Sequence, residues 1–284
     1  MATSATSDQL LVVIDPVARR TDGESVRIAK DVLSAGAAGT KVCLPDGPEE
    51  FARALARRGS RRPVVIGDDR ALVRAVGLLH RQRELAGCAL SLVPVGGALA
   101  LTRSLGVPAG AVAAARAVLD GAERRMDLLV DDSDGVVLGA LRIPPVGGVT
   151  PVREVVADGA GHPWLRTCRS LVRTLVPARP SGIDPAPEAG PARLRVEVDG
   201  RTLVDLGQPV AGVSVVPGVP GAARVEVRPA SVGAEATPLS AEGRTVTVSG
   251  AHFRYRADAI VSGPVRTRTW VVRESAWGLI LPPG

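Results

Sequence analysis

The residues best placed to do chemistry lie in short loops that follow apolar runs. Asp15 comes directly after LLVVI at 10–14, Asp68 directly after PVVIG at 63–67, and Gly96-Gly97 shortly after CALSLVP at 88–94. Glycine-rich turns bind phosphate because residues without a Cβ let backbone N–H groups converge on anionic oxygens. An Asp in such a turn can act as an acid or base, and it is equally suited to cap the helix that follows. Other chemistries find less support. His80, His162 and His252 are scattered with no mutual pattern, and Cys43, Cys88 and Cys168 form no CxxC pair. That spacing predicts neither a zinc site nor a disulfide scaffold, so no metal ligands are assigned, and Cys43 and Cys88 are expected to be buried thiols.

The elements that position these loops alternate. The continuous apolar run at 10–14 predicts a strand buried on both faces, and further strands are predicted at 40–44, 63–67, 88–94 and 126–130. Between them, helical spacing runs over 24–35, 48–59, 70–85 and 109–122, with Pro48 and two acids opening one helix and Gly121 closing another. Strands alternating with helices of this length imply a parallel sheet wrapped by helices, with ligands beyond the carboxyl ends of the strands. The loops beginning at Asp15, Gly67 and Pro94 occupy that position.

After about residue 140 the pattern changes. Residues 144–191 are rich in Pro and Gly, with one helix-like stretch at 163–176 and a linker-like stretch at 177–191. Short alternating strands follow at 193–198, 223–227, 245–250, 252–257 and 268–272, with turns expected at Asp199-Gly200 and Ser249-Gly250. Two domains are predicted: an α/β domain over 9–140 and a β-sandwich-like domain over 141–284.

The formal net charge is +6 and rests on arginine, since lysine occurs only at Lys30 and Lys41. This basicity suits either attraction to anionic lipid surfaces and nucleotide phosphates or a solvated basic surface. Aromatic residues make up only 2% of the chain, which argues against a nucleic-acid partner gripped by base stacking. No apolar run reaches the roughly 18 residues of a membrane span. The first residues, MATSATSDQ, lack the basic start and apolar core of a secretory signal. A short disordered tail and a cytoplasmic protein, peripheral at a membrane at most, are expected.

The order and context of the loops resemble the diacylglycerol-kinase and sphingosine-kinase type of lipid kinase. That family opens with a strand and an Asn-Pro-x-Ser-Gly loop, where this chain has Asp15-Pro16-Val17-Ala18-Arg19. Its Gly-Gly-Asp-Gly-Thr signature corresponds to Ile66-Gly67-Asp68-Asp69-Arg70, with a matching helix through Gly77 and Leu78. Its Pro-x-Gly-Thr-Gly-Asn-Asp loop corresponds to Pro94-Val95-Gly96-Gly97-Ala98-Leu99-Ala100, closing with Leu105-Gly106-Val107-Pro108. The late Asp-Gly-Glu corresponds to Asp258-Ala259-Ile260. The resemblance covers 9–131 well and the remainder loosely.

The resemblance implies an N-terminal fold of the NAD kinase/diacylglycerol kinase type, binding ATP and Mg2+ and phosphorylating a hydroxyl of a diacylglycerol-like lipid at a membrane surface. It carries Asp68 and Asp258 over as catalytic acids, and Asp15, Gly67, Asp69, Arg70, Gly96 and Gly97 as cofactor-binding positions. The departures are physical losses. Asp69 brings a carboxylate to a place meant for phosphates; Arg70 either offsets it by holding a phosphate or forms a solvated pair with it. Gly97, Ala98, Leu99 and Ala100 remove the polar side chains of the loop after the fourth strand, and Ile260 can be neither base nor metal ligand. Two readings therefore stand: a lipid kinase with weak or lost catalysis, or a non-catalytic pseudokinase that binds nucleotide, lipid or protein, as a homo-oligomer or with an active homologue.

Overall fold

The computed structural model describes residues 9–144, 191–230 and 237–283. The predicted helix at 163–176 and linker at 177–191 fall almost entirely outside them, as do His162, Cys168 and residues 1–8.

Four strands form the parallel layer: β1 (Gln9–Ile14), β2 (Gly39–Cys43), β3 (Arg62–Gly67) and β4 (Ala89–Pro94), in the order β2-β1-β3-β4. Alternation within the apolar runs divides two cores. Leu10, Val12 and Ile14 of β1 pack with Val64 and Ile66 of β3, under α1 (Pro16–Thr21), α2 (Gly23–Gly36) and α6 (Ala111–Asp120). Leu11, Val13 and Val65 face the other way, toward α3 (Pro48–Ala56) and α4 (Asp69–Arg81). Both faces of β1, β3 and β4 are covered, which is why these strands are mostly apolar rather than alternating, while the edge strand β2 is only half-buried and carries Thr40 and Lys41. A short helix, α5 (Ala100–Ser104), follows the third loop.

The fifth apolar run does not extend the parallel layer. It lies in β5 (Ala122–Asp131), which pairs antiparallel with β14 (Ile260–Leu281). The place beside β4 is taken by the end of β14, parallel at Gly278 and Leu279. The two strands straddle the cores: Leu128 and Val130 face one, Leu129 the other. Trp270 and Trp277 of β14 are likewise fully buried in different cores. A run buried on both faces looks the same in sequence whether its neighbours are parallel or antiparallel, so the apolar pattern at 126–130 carried no direction.

The remaining strands are β6 (Val136–Val137), β7 (Leu141–Ile143), β8 (Ala192–Val198), β9 (Arg201–Val204), β10 (Pro209–Pro217), β11 (Ala223–Pro229), β12 (Leu239–Gly243) and β13 (Thr245–Ala257). All their mutual pairings are antiparallel. Asp199 and Gly200, both at positive φ, turn β8 into β9 as expected. Ser249-Gly250 is not a turn. It lies inside β13, which runs on through 257, so the two short strands predicted there are one. Irregularities between Ser249 and Phe253 and again between Phe253 and Tyr255 let the strand bend without ending. Cys88 is buried and Cys43 only half-buried.

Candidate functional site

The loops after β1, β3 and β4 meet side by side. The backbone N–H of Asp15 donates to Ile66 O, that of Val95 to Gly67 O and that of Asp69 to Ala98 O, each at 2.9 Å. Gly67 marks the closest approach: a Cβ there would lie 2.6 Å from the Ala71 Cβ and 3.1 Å from the Asp15 Cβ. Gly96 adopts φ +131° and would bring a Cβ within 3.2 Å of the Asp68 Cβ. Around Gly97 there is open space.

The acidic side chains in this neighbourhood are already engaged. Asp15 caps α1 through Oδ1, which accepts the Val17 N–H at 2.8 Å, and its Oδ2 pairs with the Arg74 guanidinium at 2.7 Å. Arg74 in turn lies over the Phe51 ring, 5.5 Å from its centroid. Asp68 caps α4, its Oδ1 accepting from Arg70 N at 3.0 Å and Ala71 N at 3.1 Å. Burial pushes the Asp68 carboxyl above its ordinary value and the charge of Asp15 adds to the rise, while the N–H donors and Arg70 oppose it.

Asp69 departs from both sequence expectations. It is neither pointed at a phosphate seat nor half of a solvated pair with Arg70. It is 4% exposed, and its Oδ2 and Oδ1 accept the N–H groups of Leu101 and Thr102, each at 2.9 Å, at the start of α5. A short helix with the apolar Leu99 at its N-cap has no side-chain cap of its own, and Asp69 supplies the missing acceptor from another element.

Asp258 sits at the tip of the β13–β14 hairpin with φ +51°. Its carboxylate accepts three backbone N–H groups, from Leu138 at 2.7 Å, Gly139 at 2.8 Å and Ala140 at 2.9 Å. Burial pushes its carboxyl up; the three donors oppose that, and the charge of Asp69 adds to it. Gly139 is the link between the two acids, because a Cβ there would lie 2.6 Å from Leu101 Cδ1. Asp69 fixes the backbone of Leu101, Asp258 fixes that of Gly139, and Leu101 packs on Gly139.

Arg70 and Ile260 meet elsewhere, in a groove of about 350 Å³ between α4 and the strands β6, β13 and β14. Arg70, Arg74 and Arg81 of α4 line one side, and Tyr255 and Ile260 stand opposite. Arg74 and Arg81 were not singled out in the sequence. Their signal was present, since 70, 74, 77 and 81 fall on one face of a helix.

The resemblance implies ATP with a divalent cation, and the residues present do not fit that cation. Both carboxylate oxygens of Asp15, Asp69 and Asp258 have partners within the protein. Among the described residues no three His, Cys, Asp or Glu side chains are grouped so as to hold a metal ion.

No family model and no curated protein matches the sequence. Solved structures do match. Three from Bacillus anthracis strain Sterne are described as diacylglycerol kinases, two of them only provisionally. The first is 13% identical with a TM-score of 0.68, covering 97% of this chain and 98% of that one. Another is 14% identical with a TM-score of 0.69, covering 99% of each chain. The third is 12% identical with a TM-score of 0.66, covering 97% of each. At such identities the likeness speaks to the fold, and nearly the whole of both chains takes part. This chain has the fold of the diacylglycerol-kinase type of lipid kinase.

Proposed function

We propose that this protein is a pseudokinase of the lipid-kinase fold, acting by binding rather than by phosphoryl transfer. The observation that carries the reading is the use made of Asp69 and Asp258, whose carboxylates are taken up by five backbone N–H groups. The activity implied by the resemblance, ATP-dependent phosphorylation of a diacylglycerol-like hydroxyl, depends on positioning and on charge stabilisation around the phosphates. Removing one such positioned donor slows a reaction by about 10²–10³. Here the third loop offers Leu99 and Ala100 where the family has Asn and Asp, and Ile260 stands in the place of its Glu. Of Asp15, Asp68, Asp69 and Asp258, only Asp68 retains a carboxylate oxygen without a hydrogen-bond partner among the described residues, and one acid does not make the site.

The test is phosphoryl transfer from labelled ATP to dioleoylglycerol in mixed micelles with magnesium. No lipid product above background is expected, and no rise in thermal midpoint with millimolar ATP and magnesium, since a ligand of the folded state must raise it. A labelled lipid product that disappears in Asp68→Asn would overturn the reading in favour of a working kinase.

A further inference from the structure

The groove along α4 carries charge that no side chain among the described residues neutralises by a hydrogen bond or ion pair. Of its three arginines, Arg74 is paired with Asp15. Its acid, Asp131, has the Arg268 Nε 3.9 Å from Oδ2, accepts the Tyr255 hydroxyl at 3.3 Å on the same oxygen, and accepts Ser133 N and Gly135 N on the other. Arg70 and Arg81 have no hydrogen-bonded or ion-paired side-chain partner among the described residues; Arg70 only acts across space on Asp68. Two exposed guanidiniums thus remain as surplus positive charge on one wall.

The opposite wall carries an apolar strip beside Tyr255, Ser262 and Asp131. Val136 of β6, Ala257 of β13 and Ile260 of β14 line this side, Val136 sharing a core with α4 while Val137 turns into the other one, and Val73 adds an apolar side chain from α4. Ile260 is 44% exposed, a large aliphatic side chain at the lip rather than in a core. Gly77 makes the room: where its Cβ would stand, the Arg81 Nη1 lies 3.5 Å away, so that guanidinium folds back over the glycine into the groove. A cavity of about 350 Å³ lies in the range used for small molecules, roughly 300–1,000 Å³.

We infer that this groove binds a single-chain amphiphile with an anionic oxyanion head, its head held by Arg81 and Arg70 and its chain lying on Val136, Ala257 and Ile260. Guanidinium groups suit carboxylate and phosphate heads because their planar N–H fork matches two oxygens at once. A neutral chain would leave the two charges unused, and a small inorganic anion would leave the apolar strip unused. The inference deepens the reading of the protein as a binding module and rests on it. Its test does not depend on phosphoryl transfer, so a labelled lipid product would overturn that reading while leaving the groove's ligand to be judged separately.

Isothermal titration of the full chain with monomeric dodecyl phosphate, inorganic phosphate and dodecyl maltoside tests it. Dodecyl phosphate should bind one to one without divalent cation, and Arg70→Gln and Arg81→Gln should each weaken it by about tenfold or more, the size of one lost charged hydrogen bond. Ile260→Glu, which sets a carboxylate at the lip, should abolish binding, and its unfolding midpoint controls for folding. Inorganic phosphate should bind far more weakly and the maltoside not at all. Equal binding of the maltoside, equal binding of inorganic phosphate, or indifference to both arginine substitutions would each overturn the inference.

Discussion

Asp69 closes on Thr102 across 33 positions of sequence, its Oδ1 accepting the Thr102 N–H at 2.9 Å. Its other oxygen takes the neighbouring Leu101 N–H at the same distance. The carboxylate is thus a buried strut between the second and third loops.

Asp69→Gly, which removes the carboxylate, should therefore destabilise the protein. Hydrogen bonds to a charged group contribute about 1.5–3 kcal/mol each, so a loss of roughly 3 kcal/mol or more is expected in urea unfolding. Stability equal to wild type would mean that Asp69 does not hold α5.

Asp68 gives a pH dependence of definite sign. Its carboxyl is raised above 3.8 in the folded protein, burial being the largest cause, so the folded state holds this proton more tightly than the unfolded chain. Its stabilising contribution is complete below 3.8 and is lost as pH rises through the higher folded-state value. Asp68→Asn keeps a good N-cap and removes the titration. The unfolding free energy of wild type relative to that variant should fall as pH is raised from about 3.5 toward about 7; a flat difference would contradict the assignment.

Gly67→Ala should cost about 1–3 kcal/mol, because the new methyl meets the Ala71 and Asp15 Cβ atoms and neither is the end of a flexible side chain. Gly97→Ala is the matched control. Its methyl meets nothing within 4 Å, and the thermal midpoint should stay within a degree or two of wild type.

Breaking the Arg74–Asp15 pair should be severe from one side and mild from both. Arg74→Met leaves a carboxylate only 4% exposed without its counter-charge, and about 3 kcal/mol should be lost. The double variant Asp15→Asn with Arg74→Met should recover a good part of that loss. A double variant as unstable as Arg74→Met alone would show that the arginine acts through its packing on Phe51 instead.

Legibility differed by element. The parallel strands β1, β3 and β4 were visible because a layer covered on both faces needs mostly apolar runs, and local sequence records that directly; the half-buried edge strand β2 was visible as a short strand-like run. Helices α2, α3, α4 and α6 were visible by their spacing and end signals, within a few residues. Helix α1 was not expected, although Asp15-Pro16 is a sound cap-and-first-residue pair. In the antiparallel part, β8 and β11 were visible by alternation. Strands β9, β10 and β12 were passed over because Gly, Pro and charged residues interrupt their patterns.

What the sequence alone determined is the order of strand, loop and helix, the glycines and acids in those loops, and through them the fold later found in solved structures. Partners far apart along the chain were decided only by the tertiary structure. Trp270 and Trp277 lie seven positions apart on one strand and in different cores, and nothing local foretells that β14 crosses from one to the other. The same holds for the acids. Asp69 and Asp258 were legible as residues able to do chemistry, yet a carboxylate's role depends on which N–H groups surround it. Those donors come from α5 and from residues 138–140, well over a hundred positions away in the case of Asp258.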